Sequence, residues 1–340
     1  MRSLHPARRP RARGLLAVVV LCLQAACSTP TAPSDGGGGA TTLPAGTLLT
    51  VVSGEGGGAV PGARVTVSGR ASTGSPGQTS DTDALGQVAL ASDLPLSPPP
   101  EVTVEAPGFL IRSTRMRTAG DTRFTLWPTS SPTGLDAAFT STLVYSPSSC
   151  PAVNTGQAAL IRMGDATRTA TVVLDQTLQD AEAREAHIEA VASLNATLGG
   201  GVTYVFATAP PASGVVFTSE LNPQHSTCAA GSEPHRAAAS VSLANNEITG
   251  GRIAFCSVDA ARNVRLVLHE LGHTWGLRHS SSEADAMFCT SGRPSRFAAR
   301  EALAMALMRQ RRPGNTWPDS DSALGLALEA GATLEFACGG

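Results

Sequence analysis

The chain contains no lysine. All 25 of its basic residues are arginines, and five of them precede residue 14, so from Cys27 onward 20 arginines face 27 acids. That balance, about −7, leaves no basic face and excludes the proteins that bind nucleic acid by neutralising phosphates. Long apolar runs are also missing. The most hydrophobic stretch, residues 15–23, is roughly ten residues long, about half of what a helix needs to cross a hydrocarbon core. No Cys-x-x-Cys pair occurs, which argues against zinc-ribbon and thioredoxin-like chemistry. Glycine (35) and proline (23) mark a loop-rich chain but follow no triplet repeat. What is present is enough apolar residue, 42% of 340, to build a core in each of two domains.

Arg2, Arg8, Arg9, Arg11 and Arg13 precede the apolar run, and Gln24, Ala25, Ala26 and Cys27 follow it. Basic, apolar, then small is the plan of a cleaved secretory signal, here residues 1–26. The string LQAAC resembles a bacterial lipobox. That resemblance implies a lipid on Cys27, an anchor in the outer membrane or cell surface, and a cell-envelope lipoprotein; Gln24 departs from the pattern, and plain secretion is the alternative. Export places Cys150, Cys228, Cys256, Cys289 and Cys338 in an oxidising compartment. Five cysteines allow two disulfides and one thiol, with the pairing open.

Residues 28–46, STPTAPSDGGGGATTLPAG, have almost nothing to bury, so 27–46 reads as a flexible tether. From Thr47 the runs TLLTVVS, ARVTVSG, GQVALAS, EVTVEAP and RFTLWP alternate in hydrophobicity between Gly and Pro breaks. This predicts an antiparallel β-sandwich over 47–128. The strings AVPGARVTVSG, TDALGQVAL and VEAPGFL resemble the carboxypeptidase regulatory-like, transthyretin-like sandwich, which implies a scaffold or spacer.

After a linker at 129–137 the pattern changes to strand, helix, strand, loop, strand, helix, an α/β order over 138–312. The expected elements are a strand at 170–174, a helix at 180–198 with Ile188, Val191 and Leu194 inward, a strand in GVTYVFATA, a looser stretch at 210–246 and a strand in GGRIAFC. His187 reads as a surface histidine, and His225 and His235 as solvated loop residues near Cys228. Residues 295–312 form an amphipathic closing helix with Phe297, Leu303, Ala304 and Leu307 inward, and 313–340 a Gly- and Ala-rich tail. The expected fold is thus multidomain, an N-terminal antiparallel β-sandwich followed by an α/β domain.

The chemistry gathers in HELGHTWGLRH, residues 269–279. A helix opening at Ser257 or Asp259 and running on through the motif sets His269 and His273 one turn apart on one face, where both can bind one Zn²⁺. Glu270, rotated about 100° from His269, can reach a water without occupying the metal, the position of a general base. Gly276 can turn the chain sharply, letting His279 approach as third ligand. Three histidines leave one position open, the mark of a catalytic rather than structural zinc site. These residues resemble the metzincin metalloprotease signature, with Met287 in the place of the family's methionine turn and Ser280 after the third histidine as in the matrixins. The resemblance implies an α/β metzincin-type domain, a monomeric zinc endopeptidase acting on protein or peptide substrates, and a substrate lying extended beside an edge strand. Gly251, Arg252, Ile253, Ala254 and Phe255 are the candidate edge, with an interior strand as the alternative reading of the same run. A non-catalytic surface-binding lipoprotein carrying a metzincin-like module is the alternative function.

Overall fold

The β-branched runs of the first half lie in two sheets in the computed structural model, which describes residues 41–68, 77–146, 158–228, 236–290, 293–321 and 331–337. The signal segment, Cys27, Cys150, His235, Cys338 and most of the tether lie outside the described residues. Strands β1 (Thr42–Leu43) and β6 (Leu94–Pro95) pair with each other. Strands β2 (Leu48–Ser53), β5 (Gln87–Ala89) and β9 (Arg123–Leu126) form one sheet in the order β5-β2-β9. Strands β3 (Arg64–Val67), β4 (Gln78–Asp81), β7 (Glu101–Glu105) and β8 (Arg112–Arg115) form a second, ordered β4-β3-β7-β8. Alternate side chains point to one face of a strand, so Leu49, Val51, Val65, Val67, Val102, Val104, Phe124 and Leu126 converge from both sheets on one core. Full burial of each contributes about 1.5–3 kcal/mol.

One expectation is corrected here. The strands are not all antiparallel, because β2 and β9 run parallel, with Thr50 opposite Arg123 and Ser53 opposite Leu126. β9 follows β8, which belongs to the other sheet, so it arrives by a crossover, and only a hairpin forces antiparallel neighbours.

Helix α1 (Ala137–Tyr145), capped by the Asp136 side chain, opens the second half. Strand β10 (Thr169–Leu174) leads to helix α2 (Ala181–Leu198), and β11 (Thr203–Ala207), β12 (Val215–Leu221), β13 (Ala237–Ala244) and β14 (Glu247–Phe255) follow. Asp180 caps α2, and Gly199, at φ 62°, ends it in the left-handed conformation. Helices α3 (Val258–Arg262), α4 (Val264–Trp275) and α5 (Ala299–Met308) come next, then β15 (Ala332–Ala337). The six-stranded sheet has the order β11-β10-β12-β14-β13-β15. β10 runs parallel to β11 and β12, and β12 to β14. β13 is antiparallel to both β14 and β15. The molecule is therefore mostly β, with several sheets and few helices.

Three further expectations change. The stretch at 210–246 holds two strands, β12 and β13; Asn245 and Asn246, both at positive φ, make the two-residue turn from β13 into β14. As a consequence residues 251–255 are not an edge. They lie between β12 and β13, with Gly251 opposite both Phe217 and Val241. His187 is not on the surface but fully buried, whereas Ile188 beside it is 39% exposed, so α2 is rotated from the phase its largest side chains suggest.

All the described residues belong to one compact unit. Leu110 and Trp127, from the end of the first half, sit in the core of the second. Beside them Arg112 of β8 reaches Asp319 (3.2 Å) and Asp321 (2.9 Å), and Arg311 clasps Asp319 with two nitrogens at 2.6 Å. Cys228 and Cys256 form a disulfide joining the loop after β12 to the end of β14. Cys289 is likewise disulfide-bonded. Among the described residues no helix is long and apolar enough to cross a membrane.

Candidate metal centre

Two short helices stand where one was expected. α3 is capped by the Ser257 hydroxyl, and α4 begins afresh after Asn263, whose side chain accepts the N–H groups of Arg265 and Leu266. The break lies upstream of the motif and leaves its spacing intact. His269 and His273 share a face of α4, one turn apart. Gly276 ends the helix at φ 110° and donates to the Gly272 and His273 carbonyls. A Cβ on it would stand 2.2 Å from the Ile161 carbonyl oxygen, so both the backbone angle and the close approach require glycine.

The turn brings His279 back onto the other two rings. The ligand nitrogens of His269, His273 and His279 all lie within 4.8 Å of one another, and none of the three residues is exposed. Nδ1 of His269 lies 2.8 Å from the Ala286 carbonyl oxygen, and Nδ1 of His273 lies 2.8 Å from that of Leu277. A carbonyl can only accept, so both Nδ1 atoms carry hydrogen. Burial lowers the pKa of both rings well below the usual histidine value, and nearby guanidinium groups, Arg293 for both and Arg278 for His273, add to it. Both rings are therefore neutral, and each Nε2 bears a lone pair. These two Nε2 atoms approach to 3.1 Å. Two lone pairs repel at that distance unless a cation lies between them, and about 3.3 Å is the separation of two nitrogens bound tetrahedrally at about 2.0 Å. The donor set is all imidazole, which suits zinc among the common ions.

Glu270 and Met287 are also fully buried. Met287 runs beneath the helix against Gly272, where a Cβ would come within 2.3 Å of its sulfur. Its turn is held by groups that sequence reading passes over. Glu301 on α5 accepts the backbone N–H of Ala286 (3.0 Å), Met287 (2.8 Å) and Ala298 (2.6 Å). Burial pushes the Glu301 carboxyl up to about 7, and those three donors pull against the rise. Because the Ala286 carbonyl fixes the His269 ring, Glu301 orients a histidine ligand at one remove. Asp285 is bound twice by Arg300 (2.9 and 2.6 Å) and also accepts from Ser280, which ties down the loop after His279. Nothing local in SSSEADAMF or in AREALAM marks Asp285 or Glu301 for these contacts, because they form only when α5 docks.

The sheet supplies the remaining wall. α4 packs on β13 and β14, and residues 251–255 form part of that interior floor. β15 completes the enclosure. Phe336 is fully buried, and its ring stacks on His273 at 4.4 Å between centroids and 9° between planes. The guanidinium of Arg278, itself buried, lies 5.0 Å from the Phe336 centroid; burial lowers its pKa to about 10.

No protein-family model matches this chain, and no curated protein matches it.

Proposed function

We propose that this chain is a zinc-dependent endopeptidase with a metzincin-type second half, acting as a monomer on protein or peptide substrates. On the same reading the sandwich is a spacer, and Cys27 carries the lipid that holds the protein at the cell envelope. One observation carries the proposal: three buried imidazoles converge, His279 from beyond a glycine bend and two from a helix that also bears a buried glutamate, those two with Nδ1 hydrogens committed to carbonyls and Nε2 lone pairs turned on each other.

A zinc ion held by His269, His273 and His279 would supply Lewis acidity toward a peptide carbonyl and a lowered pKa for water. The chain does the rest. Glu270 takes the proton of the attacking water and returns it to the departing nitrogen. The Ala286 and Leu277 carbonyls fix the tautomers and orientations of two ligand rings, and Met287 with Glu301 fixes the position of Ala286. The apolar surroundings keep bulk water from competing.

Full burial of the four residues also suits a second reading, a non-catalytic metal centre in a surface-binding lipoprotein. Turnover separates the two. Glu270→Ala should keep one zinc per chain by metal analysis and lose at least about a hundredfold in casein cleavage. His273→Ala should lose the metal itself. Cleavage retained in Glu270→Ala removes Glu270 from its role, and absence of cleavage both in the wild type and in a variant with its histidine face uncovered, with zinc bound in each, favours the binding protein.

A further inference from the structure

The five strands β11, β10, β12, β14 and β13 are laid down between residues 169 and 255, and β13 closes that set as its outer strand. β15 is added to it from far along the chain. It pairs antiparallel with β13 over six positions, from Ala332 opposite Leu243 to Ala337 opposite Ala238. Thr333 and Glu335 are exposed, and Phe336 is its one fully buried side chain. That ring is spent on His273 and Arg278. An outer strand without a partner presents a row of N–H and C=O groups, the surface that an extended peptide recognises by strand addition. Here the row is filled by the chain's own extended segment, and the same segment covers the histidines.

We propose that β15 is an autoinhibitory strap: it occupies the β13 edge with which an extended polypeptide substrate would pair, and Phe336 seals the histidine face until the strap is released. The inference rests on the peptidase reading for the identity of what the strap excludes. It also accounts for a hydrolytic centre with no exposed residue. Release of the strap frees backbone groups along β13 and uncovers His273 in one event, so binding of an extended segment and access to the centre are coupled.

The test uses the full-length chain and three variants. Phe336→Ala removes the seal, Leu334→Pro disrupts pairing by removing the N–H that faces Val241 of β13, and Phe336→Leu keeps an apolar cap. Three rates are read: stripping of zinc by a chelator, amide hydrogen exchange in β13, and casein cleavage. The first two variants should exceed wild type at least about tenfold in all three, while Phe336→Leu stays near wild type. The synthetic peptide ATLEFA, added in trans, should slow Phe336→Ala again. A variant that has merely lost its fold exchanges amides throughout α2 as well and is not rescued by the peptide. Faster stripping and exchange without cleavage in any variant keeps the strap and sinks the peptidase reading. Wild-type cleavage with all three rates unchanged in Phe336→Ala and Leu334→Pro sinks the strap and leaves the peptidase reading standing.

Discussion

His187 shows how one buried side chain sets an acid limit. Its Nδ1 donates to the Ala183 carbonyl (2.7 Å) and its Nε2 accepts from the Ser219 hydroxyl (3.1 Å), while Phe255 packs edge-on at 5.5 Å between centroids. Burial lowers its pKa from 6.5 to about 4. The folded state therefore binds fewer protons than the unfolded state between those values, and stability falls as pH drops from 6.5 toward 4. The loss amounts to about 3 kcal/mol at most. Urea unfolding across that range should give a shallower acid limb for His187→Phe than for wild type, and equal slopes would refute the assignment. The buried position was not legible in the sequence because the inner face of α2 is Ala183, Ala186, His187, Ala190, Val191 and Leu194. Alanines offer too little contrast to fix the helix's phase, and Ile188, the residue that suggested a different phase, lies outside.

At the scale of elements, whatever depended on local spacing was readable. His269, His273, Gly276 and His279 belong to one helix and one bend, so eleven consecutive residues bring the three rings together, and contacts from outside the motif, the Ala286 carbonyl and Phe336, set their orientation. Gly276→Ala should expose that dependence. Positive φ costs an L-residue about 1–2 kcal/mol, and the Ile161 oxygen in the way adds to it. We expect at least about 2 kcal/mol lost by urea unfolding, together with weaker metal binding, because His279 can no longer turn back. Strands built from small or polar residues were not readable. β13 is AAASVSLA, with weak alternation, and β8 is RSTR, whose inward side chains are Arg112 and Thr114. The placement of β8 follows from partners distant in sequence, Asp319 and Asp321, whereas β13 is placed by its two-residue turn into β14 and covered only later by β15. The Cys228–Cys256 link closes a 28-residue separation around β13, worth about 3–4 kcal/mol on the loop-entropy model. Cys256→Ser should lower stability by about that amount in urea unfolding under non-reducing conditions.

At the scale of the molecule, the two halves are joined by charge sealed away from water. Asp319 is fully buried and accepts from Arg112, Arg311 and Asn315, while Arg311 also donates to the Thr125 carbonyl of β9 and lies 4.7 Å from the Trp127 ring centroid. Removing Asp319 leaves Arg311 buried without its counter-ion, while Arg112 keeps Asp321. Asp319→Ala should therefore cost about 3–5 kcal/mol, read as a lower urea midpoint, and its effect should reach the first half as well as the second. The position of β15 has a consequence for how such a chain is made. β13 meets β14 across a two-residue turn, but it meets β15 only after the chain has run from Ala244 to Ala332. Closing a long loop is slower than forming a hairpin. During maturation the sheet thus spends an interval with a naked border, and neighbouring nascent copies compete with the native segment to zip onto it. Yield in concentrated preparations will be governed by that race.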